Sequence, residues 1–253
     1  MKGDTFLPRF DSDGMMSCDS SWYQGRGVYG GLVFAYFVQG FIEKSSFPIR
    51  SIQVELCRPM QEGDARFQFS LMCKGSNTEF WRAEVYQNTS LVAYANAVLG
   101  GERKTEYDNQ ELIFPKVRER DKVFPIPRNP IMPSFAQHLE YRVCIGGFPF
   151  QGSSSSKTGG WISFREDQCP YPAVQQVALM DSWWPSMAMN LKKMHYMGTV
   201  SFSCHFFAPV SPPYLFVGQN RIIHGGYASE KNELWSADGN LVALAHQMIA
   251  IIR

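Results

Sequence analysis

Stretches long and apolar enough to cross a bilayer are missing from these 253 residues. The longest apolar run, residues 32–42, is about half of the roughly 20 residues a transmembrane helix needs, and it carries Gln39 and Gly40. Residues 1–10 hold Lys2, Asp4 and Arg9, which does not read as a secretory leader. Paired cysteines are also missing. The six, at positions 18, 57, 73, 144, 169 and 204, form no CxxC. They read as reduced, mostly buried thiols, and a cytoplasmic location is expected. Neither sign of charge dominates: 24 basic residues face 23 acidic ones for a net +1, so neither nucleic acid nor a membrane surface is expected as a partner. Histidines 138, 195, 205, 224 and 246 show no HExxH or other metal-ligand spacing, so no metal is expected. No GxSxG occurs, which excludes the nucleophile elbow of an α/β-hydrolase. No cofactor is expected.

One phosphate-type motif is present. Residues 25–30 satisfy GxGxxG ahead of an apolar run. A dinucleotide site would need a buried strand before the motif and a parallel strand after the helix. The preceding Asp19-Ser20-Ser21-Trp22-Tyr23-Gln24 is not such a strand, and the stretches that follow join by short turns, which implies antiparallel pairing. Gly30 and Gly31 fit better as a close backbone approach with free N–H groups at a helix N-terminus.

With 45% hydrophobic residues the chain has ample material for a core. Sliding it against itself by 150 positions gives seven identities between 51–97 and 201–247 without a gap, where composition alone gives about three. The order of elements repeats as well. In the first copy a buried helix over 32–42 precedes strand-like stretches at 49–56, 65–73, 80–87 and 90–99. In the second, a helix is expected over 174–193, then strands at 199–207, 214–223, 228–235 and 241–252. Further strands are expected at 15–22, 139–144 and 160–165. One long helix followed by a meander of strands, twice, is an α+β fold, with each helix on the concave face of a sheet and the two sheets joined edge to edge. The expected divisions are an N-terminal unit 1–101, a proline-rich extended linker 102–134, and a C-terminal unit 135–253 that carries the site. Residues 152–160, with four consecutive serines, read as a flexible loop.

Duplicated units often keep chemistry in one copy, so positions polar in one and apolar in the other are informative. In the 150 frame Asp181 falls on Gly31, Thr199 on Ile49 and Gln247 on Ala97. A carboxylate amid Val177, Ala178, Leu179, Met180, Trp183 and Trp184 is costly unless paired, neutralised or used. Each residue also has an ordinary reading: a solvent-facing helical Asp, a plain strand Thr, a Gln turned to water. The methionines at 180, 187, 189, 194 and 197 read as core, or alternatively as an adaptable wall for an acyl chain.

Several segments resemble the thioesterase II (TesB-like) acyl-CoA thioesterase family of double-hotdog proteins. They are Val28-Tyr29-Gly30-Gly31, Leu56-Cys57-Arg58-Pro59, Phe80-Trp81-Arg82-Ala83, Met180-Asp181-Ser182-Trp183-Trp184-Pro185, and the run from Asp238-Gly239 to His246-Gln247. The resemblance covers nearly the whole chain. It implies two fused hotdog units and hydrolysis of acyl-CoA by a water that an Asp, a Thr and a Gln bind and activate; the matching positions are Asp181, Thr199 and Gln247. Ser201-Phe202 and Phe206-Phe207-Ala208-Pro209 depart from the family pattern after the Thr. The expected oxyanion donor is the Gly31 N–H, and Trp183, Trp184 and Phe34 are the expected lining of an acyl tunnel. The expected partners are an acyl-CoA substrate and further copies of the chain. The alternative is a hotdog module that binds an acyl thioester or a protein without hydrolysis.

Overall fold

A computed structural model describes residues 10–166 and 169–252. Residues 1–9, whose charges were weighed above, lie outside the described residues, as do 167, 168 and 253. The chain runs β1 (Met15–Cys18), a ribbon of β2 (Tyr23–Gln24) and β3 (Gly27–Val28), α1 (Gly30–Lys44), β4 (Ile49–Leu56), β5 (Gly63–Lys74), β6 (Thr78–Gln87) and β7 (Ser90–Gly100). After the linker come β8 (Leu139–Ile145), β9 (Lys157–Phe164), α2 (Pro172–Met180), β10 (Tyr196–Phe206), β11 (Tyr214–His224), β12 (Tyr227–Ser236) and β13 (Leu241–Ile252).

Eleven strands form one sheet in the order β1-β5-β6-β7-β4-β10-β13-β12-β11-β9-β8. Neighbours pair antiparallel, and where short turns join them, as from β5 to β6 to β7, nothing else is possible. The order reads outward alike from the β4–β10 seam: β4, β7, β6, β5 on one side and β10, β13, β12, β11 on the other. Register repeats too. Ile52 pairs with Ala97 and Phe202 with Gln247, each pair displaced by 150, and the strands beside the seam share a bulge, at Ile49/Ser51 and Thr199/Ser201. Each half is thus a hotdog unit, a sheet wrapped on a helix, and the fold is a double hotdog. The ungapped frame fails further out. Trp81 pairs with Ala97 where Glu230 pairs with Gln247, so β6 matches β12 at a separation of 149.

The helices are the core of this wrap. Every residue of α1 from Gly30 to Phe41 is buried, as an apolar helix without a polar face must be. Phe34 of α1 stacks on Phe202 of β10 with ring centroids 4.3 Å apart, so the two halves share one apolar interior. The second helix is much shorter than expected: the sequence suggested 174–193, and α2 ends at Met180. Pro185 has no N–H to continue it and biases Trp184 away from helical backbone. Asp181 leaves the helix with φ −104° and ψ 2°, Ser182 Oγ donates to the Leu179 carbonyl at 2.8 Å, and only one turn, Ser186–Met189, follows.

The linker is extended, as its prolines require, but it is also docked. Leu112, Phe114 and Val117 pack on Trp161, Leu215, Val217, Trp235 and Leu241, and Trp161 Nε1 donates to the Arg118 carbonyl at 2.9 Å. Residues 157–160, expected in a loop, belong to β9; its pairing with β8 and β11 outweighs two glycines. Among the described residues no helix is long and apolar enough to cross a membrane.

Candidate active site

The site begins where the two helices meet. The first turn of α1 abuts the last of α2, so closely that a Cβ on Gly31 would lie 2.5 Å from the Ala178 carbonyl oxygen. A Cβ on Gly30 would lie 2.6 Å from Asp181 Oδ2. The glycine pair therefore serves close approach, and what approaches is a carboxylate. The Gly31 N–H hydrogen-bonds to Asp181, and the positive end of the α1 dipole faces the same group.

Asp181 is 7% exposed. Its Oδ1 accepts a hydrogen bond from Thr199 Oγ1 at 2.8 Å. Thr199 lies in the fourth position of β10 rather than at its start, beside the bulge that resets the register, and bulges re-aim side chains in this way. Burial pushes the Asp181 carboxyl up from 3.8 to about 7, against the lowering by Thr199 and Gly31 and with help from the charge of Glu230.

Gln247 is buried on β13 between Phe202 and Glu230 of the flanking strands. It reaches the backbone beside Asp181 through an intermediary. Its Oε1 accepts from Asn232 Nδ2 at 3.2 Å, and the same Nδ2 lies 3.5 Å from the carbonyl of Met180, the residue before Asp181. Glu230, two residues along β12, accepts from Ser186 Oγ at 2.8 Å and from the Met187 N–H at 3.0 Å, and burial raises its carboxyl. Asp181 and Thr199 are thus in contact, while Gln247 joins through a residue that the sequence reading passed over. Asn232 and Glu230 were missed for different reasons. With the one-residue slip, Asn232 falls on Arg82 in the 150 frame, polar against polar, whereas its true counterpart is buried Ala83. Glu230 falls on Phe80 in that same frame, so its signal was there to be read.

The three aromatic candidates separate. Phe34 is fully buried against Phe202. Trp183 is buried, donates from Nε1 to Thr158 Oγ1 at 3.0 Å and stacks on Phe216. Trp184 is half-buried between Trp183 and the exposed Phe148, and its Nε1 has no partner among the described residues. The Gly31 N–H, the expected oxyanion donor, faces Asp181 and lowers its carboxyl. His205 and His246 are exposed on the outer face of the sheet, opposite the helices. Among the described residues no group of three or more His, Cys, Asp or Glu is placed to hold a metal.

Comparison with known proteins shows the family to which this double hotdog belongs. The profile of the acyl-CoA thioesterase N-terminal domain matches residues 18–100, and that of the C-terminal domain matches residues 114–251. The chain belongs to this acyl-CoA thioesterase family. Among curated proteins none matches it by sequence. Solved structures match in fold. A conserved hot-dog-fold protein of Alicyclobacillus acidocaldarius has a TM-score of 0.89 at 21% identity, over 99% of this chain and 97% of its own. A tesB protein of Mycobacterium avium subsp. paratuberculosis has 0.81 at 12%, over 98% and 97%. An acyl-CoA thioesterase II of Mycobacterium marinum has 0.76 at 12%, over 97% and 96%.

Proposed function

We propose that the chain hydrolyses acyl-CoA thioesters by direct attack of a water activated by Asp181. The observation that carries this reading is the buried Asp181 carboxylate, locked by Thr199 and the α1 N-terminus, with its proton affinity raised to about 7. A general base works best with a pKa near the operating pH. Thr199 spends its proton on Asp181, so its oxygen is free to accept a hydrogen from a water lying against the pair. That water's oxygen bonds to the thioester carbonyl carbon, its proton passes to Asp181, and the carbonyl π pair moves onto oxygen. Collapse of the tetrahedral species breaks the C–S bond, and the CoA thiolate leaves and takes a proton.

Only Cys18 and Cys204 of the six thiols are buried, and an acyl-enzyme on either is disfavoured. Burial raises Cys18 to about 11 and Cys204 well above its usual range, so neither supplies a thiolate. A hydratase-type Asp–His pair finds no support, since no histidine is among the hydrogen-bond partners of Asp181 and two of them face away. The test is CoA release from a panel of acyl-CoAs by wild type and Asp181→Asn. Turnover by wild type and loss of about 10²–10⁴ in kcat by the variant are expected. Binding without turnover in wild type assigns the chain to the non-hydrolytic alternative.

A further inference from the structure

Asn232 Nδ2 bonds to Gln247 and the Met180 carbonyl, and at 1% exposed the residue is as buried as the core. Its surroundings are a local exchange of apolar for polar. By register Phe69, Trp81, Ala83 and Ala97 of the first half correspond to Gly218, Glu230, Asn232 and Gln247 of the second. Gly218 leaves the room that Asn232 uses, because a Cβ there would come within 3.0 Å of Asn232 Oδ1.

A carboxamide has a donor end and an acceptor end. Asn232 Nδ2 occupies Gln247 Oε1 at 3.2 Å, so the end of Gln247 left for other partners is Nε2. The same Nδ2 reaches the Met180 carbonyl, one peptide from the base. We propose that Asn232 is a positioning residue that fixes Gln247 as a hydrogen-bond donor to the attacking water. This inference rests on the thioesterase reading above.

A double-mutant cycle tests it. Purified wild type, Asn232→Ala, Gln247→Ala and the double variant are assayed for kcat and KM on the best acyl-CoA of the panel, with melting curves to verify folding. Asn232→Ala should lower kcat about 10- to 100-fold with KM within about twofold. The double variant should be no slower than Gln247→Ala, because Asn232 acts through Gln247. Should Asn232→Ala fail to fold, Asn232→Leu replaces it. That side chain keeps the approximate shape but offers no donor, so it frees the Gln247 amide to turn and should lose kcat similarly. Effects that multiply in the double variant, or wild-type kcat in Asn232→Leu, overturn the proposal while leaving the thioesterase reading intact. A wild type that turns over no acyl-CoA removes both.

Discussion

Replacing Asp181 by Asn should make the protein more stable and nearly inactive at the same time. The buried carboxyl binds a proton more tightly in the folded chain, at about 7, than in the unfolded one, at 3.8. Its ionised form therefore weakens the fold by about 4 kcal/mol at alkaline pH, an upper value for a single group. The direction follows from linkage. The folded state binds more protons between the two values, so this contribution to stability is greatest below about pH 4, falls as pH rises, and levels off above about 7. About 2.5 kcal/mol of the decline lies between pH 5 and pH 8.

Asn carries no charge at either pH and escapes the decline, but one of its two bonds is lost. Thr199 Oγ1 and the Gly31 N–H both donate to the carboxylate, and only the amide oxygen of Asn can accept. Allowing about 1–2 kcal/mol for that mismatch, the variant should be more stable than wild type by about 2 kcal/mol at pH 8 and no more stable at pH 5. In a chain of this length that is a Tm gain of about 4–8 °C at pH 8 only. Melts of both proteins at the two pH values, taken as differences, cancel Glu230 and every other shared titration. A variant that melts below wild type at pH 8, or that keeps its kcat, would refute the assignment of Asp181 as a buried, desolvated base.

The pH–rate profile of wild-type kcat should rise with pH through about 7 as Asp181 ionises; a flat profile from pH 5 to 8 places the base elsewhere. Thr199→Val removes a bond that lowers the Asp181 carboxyl, so the acid limb should move to higher pH and kcat fall about 10-fold or more, with Thr199→Ser restoring both. Gly30→Ala puts a methyl 2.6 Å from Asp181 Oδ2 and should cost about 10²-fold in kcat despite alanine's better helix propensity. Phe114→Ala strips the linker of its contact with Trp235, 5.8 Å between centroids, and should lower Tm by about 4–8 °C, for about 2 kcal/mol, with kcat unchanged.

What could be read in the sequence follows from which forces are local. Strand positions are set by alternation and turns, and 49–56 and 241–252 coincide with β4 and β13 to the residue. The length of α2 depended on a competition that composition hides. The run after Met180 is apolar enough for a helix, but Pro185 and the Ser182 hydroxyl bond to Leu179 end it. The fate of the Gly31 N–H could not be read, because its partner lies 150 residues away and the meeting exists only once the halves have folded together. Asn232 was hidden by a single-residue slip between β6 and β12, which turns a buried Ala–Asn contrast into an unremarkable Arg–Asn one.

That meeting also revises where the chemistry resides. The acid, the threonine and the glutamine all belong to the second half, and from the first half the sequence suggested only an oxyanion donor at Gly31 and tunnel lining at Phe34. Yet Gly30 and Gly31 are first-half residues, and Leu56 of the same half lies 3.1 Å from where a Gly30 side chain would begin. The second half brings the charge; the first brings the helix N-terminus that makes a buried charge tolerable. The second half's own helix, α2, offers only its C-terminus to Asp181, and a C-terminal dipole end repels an anion. The opposing helix supplied the end of the right sign, and it could come near enough only while two consecutive residues at its start carried no side chain. The buried carboxylate of one half thus rests against the helix N-terminus of the other.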